Sequence, residues 1–192
     1  MPFLFVACYM KADEGQIILT SERLIFRQHI MADMDAFSAM EQDAYVRKYV
    51  GGKPRSKEEA ERRFINGPLQ PVKDRLGMWA TILKTENKYI GRCGLYPHFG
   101  AEGKVVEDEA TLAFYIAHEY WGNGFATEAG RAFISFGFNE IKIKRIVATI
   151  QDGNNASVHV MEKLAFTLSY TEKGDRSFHH FVLQNPAYQK GR

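Results

Sequence analysis

Apolar positions along this chain change their period several times, and each change predicts an element. Residues 24–28 (LIFRQ) read as a short strand. Over residues 32–42, Met34, Phe37 and Met40 recur at three-residue steps, which predicts a helix. Ser56-Lys57-Glu58-Glu59 has the form of a capping box, with Ser56 at the N-cap and Glu59 at N3. It predicts a helix to about residue 66, followed by a loop over 67–76 that carries Pro68 and Pro71. Residues 78–83 (MWATIL) and 89–95 (YIGRCGL) flank the turn Thr85-Glu86-Asn87-Lys88, an antiparallel hairpin. Residues 97–108 are polar and contain glycine, and read as a loop. Residues 110–117 (ATLAFYIA) show little polar alternation and predict a strand buried on both faces. A turn over 119–124 leads into an amphipathic helix over 126–138. A strand at 146–150, a turn at 152–155, a helix at 157–164 and strands at 168–171 and 177–183 complete the series. Sheet and helices alternate within one unit, so the fold class is mixed α/β.

Composition adjusts this picture modestly. The chain has 192 residues, 45% of them hydrophobic, enough for one domain with a core that needs no disulfide or metal. The expected divisions are an extension over 1–16, a single domain over 17–186 and a tail over 187–192. The opening MPFLFVACYM is apolar but lacks a basic flank and is too short to span a bilayer, so it reads as a disordered or edge-strand extension. No other stretch approaches transmembrane length, and no membrane association is expected. Net charge is +2 with no basic block, which argues against a nucleic-acid partner. Cys8 and Cys93 lie far apart without metal or redox spacing, consistent with reduced thiols in a cytoplasm. His179 and His180 would point to opposite faces of a strand and cannot chelate together; no metal site is expected.

The chemically informative segment is Trp121-Gly122-Asn123-Gly124-Phe125-Ala126-Thr127-Glu128, between a buried strand and a helix start. Glycines permit a sharp turn and close approach of a ligand to the backbone. The free N–H groups of a first helical turn, with the helix dipole, favour an anion such as a pyrophosphate. A plain strand-to-helix turn would also use two glycines. A P-loop is disfavoured because Phe125-Ala126 follow Gly124 instead of Lys-Ser/Thr, and a dinucleotide fingerprint is disfavoured because Thr127 stands where its third glycine belongs.

Residues 120–129 resemble the acyl-CoA pyrophosphate loop of the GNAT superfamily, Gln/Arg-x-x-Gly-x-Gly/Ala. Trp121 stands at the Gln/Arg position, Gly124 at the central glycine and Ala126 at the last position. The Trp-Gly pair before Thr127-Glu128-Ala129 is similar to the branch of ribosomal-protein N-terminal and spermidine acetyltransferases. Three further pieces resemble that branch in order: Thr20-Ser21-Glu22-Arg23-Leu24 its opening strand, residues 89–95 its Ile-Gly-x-x-Gly-Leu strand, and Asn154-Asn155-Ala156-Ser157 with 162–166 its Asn-x-x-Ser…Glu-Lys-x-Gly-Phe segment. The resemblance spans about residues 18–184. It implies the GNAT fold, a mixed and mostly antiparallel central sheet flanked by helices, and an N-acetyltransferase that uses acetyl-CoA as co-substrate and no metal. It implies a primary amine acceptor, either a small molecule or a protein N-terminus, direct attack in a ternary complex, and a monomer or homodimer.

Residue by residue, the resemblance implies that the cofactor is held by Gly122, Asn123, Gly124, Phe125, Ala126 and Thr127, with Trp121 beside them. The pantetheine arm would lie along residues 110–117, and an N–H near Tyr115 or Ile116 would meet the oxyanion. The family's base position falls on Thr111; Glu109, two residues earlier on the same side, is the candidate general base, directly or through a water, and otherwise a solvated strand end. The family's acidic Tyr is replaced by Met161, so Ser157 is the candidate proton donor, or else a helix N-cap. Asn154 would bond the cofactor or serve the turn. Ala165 replaces a glycine and asks for a different helix ending. His98 and His118, on loops near the site, either touch substrate or are ordinary surface histidines; Tyr96 could line a substrate pocket, and Trp79 either lines it or packs in the core. Two alternatives stand beside the enzyme: a non-catalytic acyl-CoA-binding module of the same fold, and an unrelated nucleotide enzyme built on the glycine turn.

Overall fold

The computed structural model describes residues 15–70, 75–100 and 102–188. One eight-stranded sheet organises the chain, in the order β1-β2-β3-β4-β5-β6-β8-β7. The strands are β1 (Ile17–Thr20), β2 (Leu24–Arg27), β3 (Gly77–Leu83), β4 (Lys88–Phe99), β5 (Val105–Ile116), β6 (Arg145–Gln151), β7 (Thr167–Glu172) and β8 (Phe178–Gln184). Every neighbouring pair is antiparallel except β5 and β6. Helices α1 (Met34–Gln42), α2 (Ala44–Arg47) and α3 (Lys57–Asn66) precede β3; α4 (Phe125–Phe136) and α5 (Asn155–Lys163) flank β6 in sequence.

Each sheet face carries its own core. On one side Phe125, Ala129, Phe133 and Phe136 of α4 and Met161 of α5 pack with Leu24, Phe26, Leu95, Leu112 and Ile146. On the other, Phe37, Met40 and Phe64 of α1 and α3 pack with Ala80, Ile82 and Tyr89. Burying each such large side chain contributes about 1.5–3 kcal/mol. At Gly130 an added Cβ would meet Leu164 Cδ1 at 2.4 Å, so the glycine permits the close approach of α4 to the end of α5.

Several boundaries differ from the sequence reading. Thr20-Ser21-Glu22-Arg23-Leu24 is a tight turn joining β1 to β2, with Ser21 N–H donating to Leu24 O, instead of one strand. The expected loop over 97–108 shrinks, because β4 runs to Phe99 and β5 begins at Val105. Those polar residues stay paired as a ribbon beyond the covered part of the sheet, where solvent explains polarity without breaking the strand. The capping box is half formed: Ser56 Oγ accepts from Glu59 N–H at 3.2 Å, while the Glu59 carboxylate pairs with Arg55. The predicted helix over 126–138 ends at Phe136 and widens into a π turn, Gly137–Ile141. The helix expected over 157–164 begins at Asn155. The short helix α2 had no periodic signal. The N-terminal extension with Cys8, and Pro71 of the expected loop, lie outside the described residues.

Candidate functional site

The parallel pair β5/β6 is short. Only Glu109↔Arg145, Ala110↔Ile146 and Thr111↔Val147 are in register, after which the strands separate while β5 continues to Ile116 and β6 to Gln151. A V-shaped gap therefore opens in the middle of the sheet, with its vertex at Thr111. Ala117 N–H donates to Ile90 O, so residues 117, 115, 113 and 111 direct their peptide groups to β4. By the same alternation Leu112, Phe114 and Ile116 direct theirs into the gap. Of the two residues expected to offer an N–H, Ile116 faces the gap and Tyr115 faces β4.

At the open end stands the glycine turn. Gly122 and Gly124 both have φ 79°, left-handed values that favour glycine. A Cβ at Gly122 would meet nothing within 4 Å, and at Gly124 only Arg23 Nη2 at 3.7 Å, so the space above the turn is open. Gly124 is the N-cap of α4 and offers no side-chain cap. Glu128 N–H closes the first turn on Gly124 O, while among the described residues the N–H groups of Gly122, Asn123, Gly124, Phe125, Ala126 and Thr127 have no acceptor. Six undonated N–H groups at a helix start, with the Arg23 guanidinium beside them, form an anion cradle that fits a pyrophosphate. Trp121 is fixed differently: its Nε1–H donates to Ile116 O at 2.7 Å, and its ring packs edge-on against His118, which stacks on Tyr45.

The cradle is braced from 100 residues away. Glu128 accepts from Ser21 Oγ at 2.7 Å, from Arg23 N–H at 2.7 Å and from Arg23 Nε at 2.6 Å. Burial opposes its charge, but these three donors win and hold the Glu128 carboxyl below the usual carboxylate range. Arg23 Nη1 also donates to Asn123 O, and its guanidinium lies over the Phe125 ring. This carboxylate is thereby turned away from the anion site it adjoins. Ser21, Arg23 and Glu128 were visible only as pieces of two separate motifs; their contact was not.

At the α5 start, Asn154 is the N-cap and its Oδ1 accepts from Ser157 N–H at 3.3 Å. The N-cap reading of Ser157 is therefore corrected: Asn154 caps, because the turn brings its shorter path to the free N–H, and Ser157 lies in the first turn with its hydroxyl unpartnered among the described residues. Met161 is fully buried and contributes only packing. Ala165 keeps the left-handed conformation of the glycine it replaces, φ 60°, and Phe166 N–H closes the helix end on Met161 O.

At the vertex, Glu109 is no solvated strand end; its side chain is 13% exposed. Arg145 Nη2 binds its Oε1 at 2.5 Å, and its buried Oε2 has no hydrogen-bond partner. His98 is not an isolated surface histidine either. Its Nδ1 lies 3.2 Å from Thr111 Oγ1 and its Nε2 4.0 Å from Glu109 Oε2. Thr111, His98, Glu109 and Arg145 thus form one polar chain at the point where the sheet opens.

Beside it, on the α1 side, a buried charge cluster joins α1, α2, β4 and the loop before α3. Glu41, 2% exposed, accepts from Arg92 at 2.7 Å, Arg55 at 2.8 Å and Arg47 at 3.2 Å. Burial opposes ionisation of Glu41, but the Arg92 and Arg55 hydrogen bonds and the Arg47 charge hold its carboxyl low. Glu41 follows Phe37 by four residues, so a charge standing on the apolar face of α1 was the overlooked signal. Among the described residues no group of three or more His, Cys, Asp or Glu could hold a metal ion, and no helix is long and apolar enough to cross a membrane. Trp79 lies in the core at 1% exposure, as expected, and Cys93 is buried, its thiol pushed up to about 12 by desolvation.

Known proteins share this fold. The family model "Acetyltransferase (GNAT) domain" matches residues 23–167. The uncharacterised Bacillus subtilis protein YkkB is 34% identical over 96 residues, 50% of this chain, and the match spans about half (54%) of YkkB. The uncharacterised N-acetyltransferase YnaD of the same organism is 30% identical over 146 residues, covering 76% of this chain and 80% of YnaD. A GNAT-family acetyltransferase structure from Bacillus anthracis superposes with TM-score 0.75 at 24% identity, covering 87% of this chain and 98% of that one. Spermidine N-acetyltransferase from Vibrio cholerae, solved with CoA and spermine, gives TM-score 0.68 at 16% identity, over 88% and 99% of the two chains. The split parallel pair, the uncapped glycine turn and the family match over three quarters of the sequence agree: the chain belongs to the GNAT acetyltransferase family.

Proposed function

We propose that this protein transfers the acetyl group of acetyl-CoA to a primary amine by direct attack in a ternary complex. The observation that carries the reading is the array of six undonated N–H groups over residues 122–127 at the mouth of the β5/β6 gap. From Ile116 to Thr111 the strand covers about 17 Å, a length suited to an extended pantetheine arm. Bound there, acetyl-CoA supplies a thioester activated toward amines.

The chain's own residues then have distinct tasks. Residues 122–127 hold the pyrophosphate, and the Asn154 amide lies across the gap to bond the arm. Ile116 N–H holds the arm, and Leu112 or Phe114 N–H, nearer the vertex, meets the negative charge growing on the carbonyl oxygen; such donors contribute roughly 3–4 kcal/mol each. Ser157 Oγ–H donates to the departing sulfur. At the vertex, His98 receives the amine's proton. Glu109, with one oxygen engaged by Arg145 and the other 4.0 Å from His98 Nε2, sets a carboxylate beside the imidazole. Glu109 thereby acts through His98 instead of as the direct base.

Thiol release from acetyl-CoA in the presence of an amine panel tests this. His98→Gln is expected to lower kcat by about a hundredfold or more, the usual contribution of a general base, with CoA affinity unchanged. An unchanged kcat would remove His98 from the mechanism. A second reading, a non-catalytic acyl-CoA-binding module, is favoured by Met161 in place of an acidic group; CoA binding without turnover of any amine would establish it.

A further inference from the structure

Beyond the polar chain at the vertex, the α1/α3 face carries a second feature that amine acetylation does not require. A cavity of about 490 Å³ lies between α1, α3, β3 and β4. Phe37 and Met78 supply apolar wall, and Arg62, Arg63 and Arg92 supply charge; among the described residues no carboxylate lines it. This volume falls within the usual range for small-molecule pockets, about 300–1,000 Å³.

The positive charge here is in excess of its internal partners. Glu41 is shared by Arg47, Arg55 and Arg92. Arg92 is held flat between the Phe37 and Tyr115 rings, 4.6 Å from each centroid, and spends Nη2 on Glu41. Its Nη1 is buried without a hydrogen-bond partner. A buried guanidinium N–H without an acceptor costs free energy, and an anionic ligand atom would remove that cost. Arg62 and Arg63 make no ion pair among the described residues and reach the same cavity from α3. The cavity and the vertex lie on the same face of the sheet. Arg92 pairs with Tyr115 and Tyr96 with Thr111, so the cavity wall and the proposed proton acceptor lie about 13 Å apart on neighbouring strands of one sheet face.

We infer that the acceptor is an amine that also carries a carboxylate, with the carboxylate bound among Arg62, Arg63 and Arg92 while the amine reaches the Thr111–His98 vertex. A polyamine is disfavoured here, since its remote ammonium groups would face three guanidinium groups. The inference rests on the acetyl-transfer reading for the position of the amine, but the anion pocket itself does not.

The test pairs acceptors by charge on the full chain. Rates are measured for an extended amino acid of matching reach, 8-aminooctanoate, and its amide, for an N-terminal Glu tripeptide and its amidated counterpart, and for spermidine. The expected result is a kcat/KM at least tenfold higher for an acid than for its amide. Arg62→Gln/Arg63→Gln, both exposed on α3, should bring that ratio to within about twofold of unity through KM, with CoA-induced stabilisation retained. Preference for the free amino acid names a small-molecule source of the carboxylate, and preference for the tripeptide a protein N-terminus; either supports the pocket. Preference for an amide or spermidine, a ratio unchanged by the double variant, or CoA binding without turnover of any acid overturns it. Should the wild type bind no CoA, the transferase reading fails separately, and calorimetry with glutarate decides the pocket: binding to wild type but not to the double variant keeps it, and no binding overturns it.

Discussion

The glycine turn and the proposed acceptor face are built by opposite means. The turn uses backbone N–H groups from six consecutive residues, 122–127. The acceptor face uses side chains from α1, α3, β3, β4, β5 and β6, brought together over 100 residues. The first needs small residues in the right order and tolerates most neighbours; the second depends on the sheet register and on a buried carboxylate that keeps arginines together. A local device survives sequence drift as a motif, whereas an assembled one can change its ligand by a few substitutions while the fold persists.

Substitutions can break that contrast in order of expected size. Glu41→Gln should cost about 3–5 kcal/mol, because it leaves three guanidinium groups without their shared buried anion; urea denaturation reads this. The sign with pH follows from the low Glu41 carboxyl: its stabilisation is present above the unfolded value near 4.5 and is lost as pH falls through the folded value. Wild type should therefore lose more stability on acidification than Glu41→Gln, and equal losses would show that Glu41 is not the anchor. Gly124→Val places a β-branched residue at φ 79° and fills the open cradle. It should weaken CoA binding by at least about tenfold, ~1.4 kcal/mol, in calorimetry, with normal affinity refuting the backbone cradle. Ser157→Ala should lower turnover by about tenfold at most modest change in CoA affinity, which separates a proton donor from a residue that merely fills space. Ala165→Gly relieves a left-handed alanine and should raise stability by about 0.5–1 kcal/mol, with no effect on either ligand. A loss of stability there would mean that the helix end is not strained.

This contrast also explains what the sequence disclosed. The strand and helix succession was legible because most elements have one strongly apolar face. The turn at Trp121-Gly122-Asn123-Gly124 was legible because its chemistry depends on consecutive residues. Glu109 was singled out by its alternation with Thr111, yet its partners Arg145 and His98 could not be named, since both follow from register across strands. The loop expected over 97–108 hid His98 inside a strand. Glu41 was passed over because a lone acid in an apolar stripe looks like an interruption until three arginines from other elements meet it.

The central claim is that the turn over residues 122–127 binds the pyrophosphate of acetyl-CoA, and thermal stability in the presence of separate acetyl-CoA, CoA, NAD and ATP tests it most directly. A ligand at about 100 times its dissociation constant adds roughly 2.7 kcal/mol. For a domain of this length that is a rise on the order of 5–10 °C. The account predicts this rise for acetyl-CoA and CoA, none for NAD or ATP, and its loss in Gly124→Val. No rise with either thioester or thiol form, or a rise with NAD or ATP alone, would contradict it.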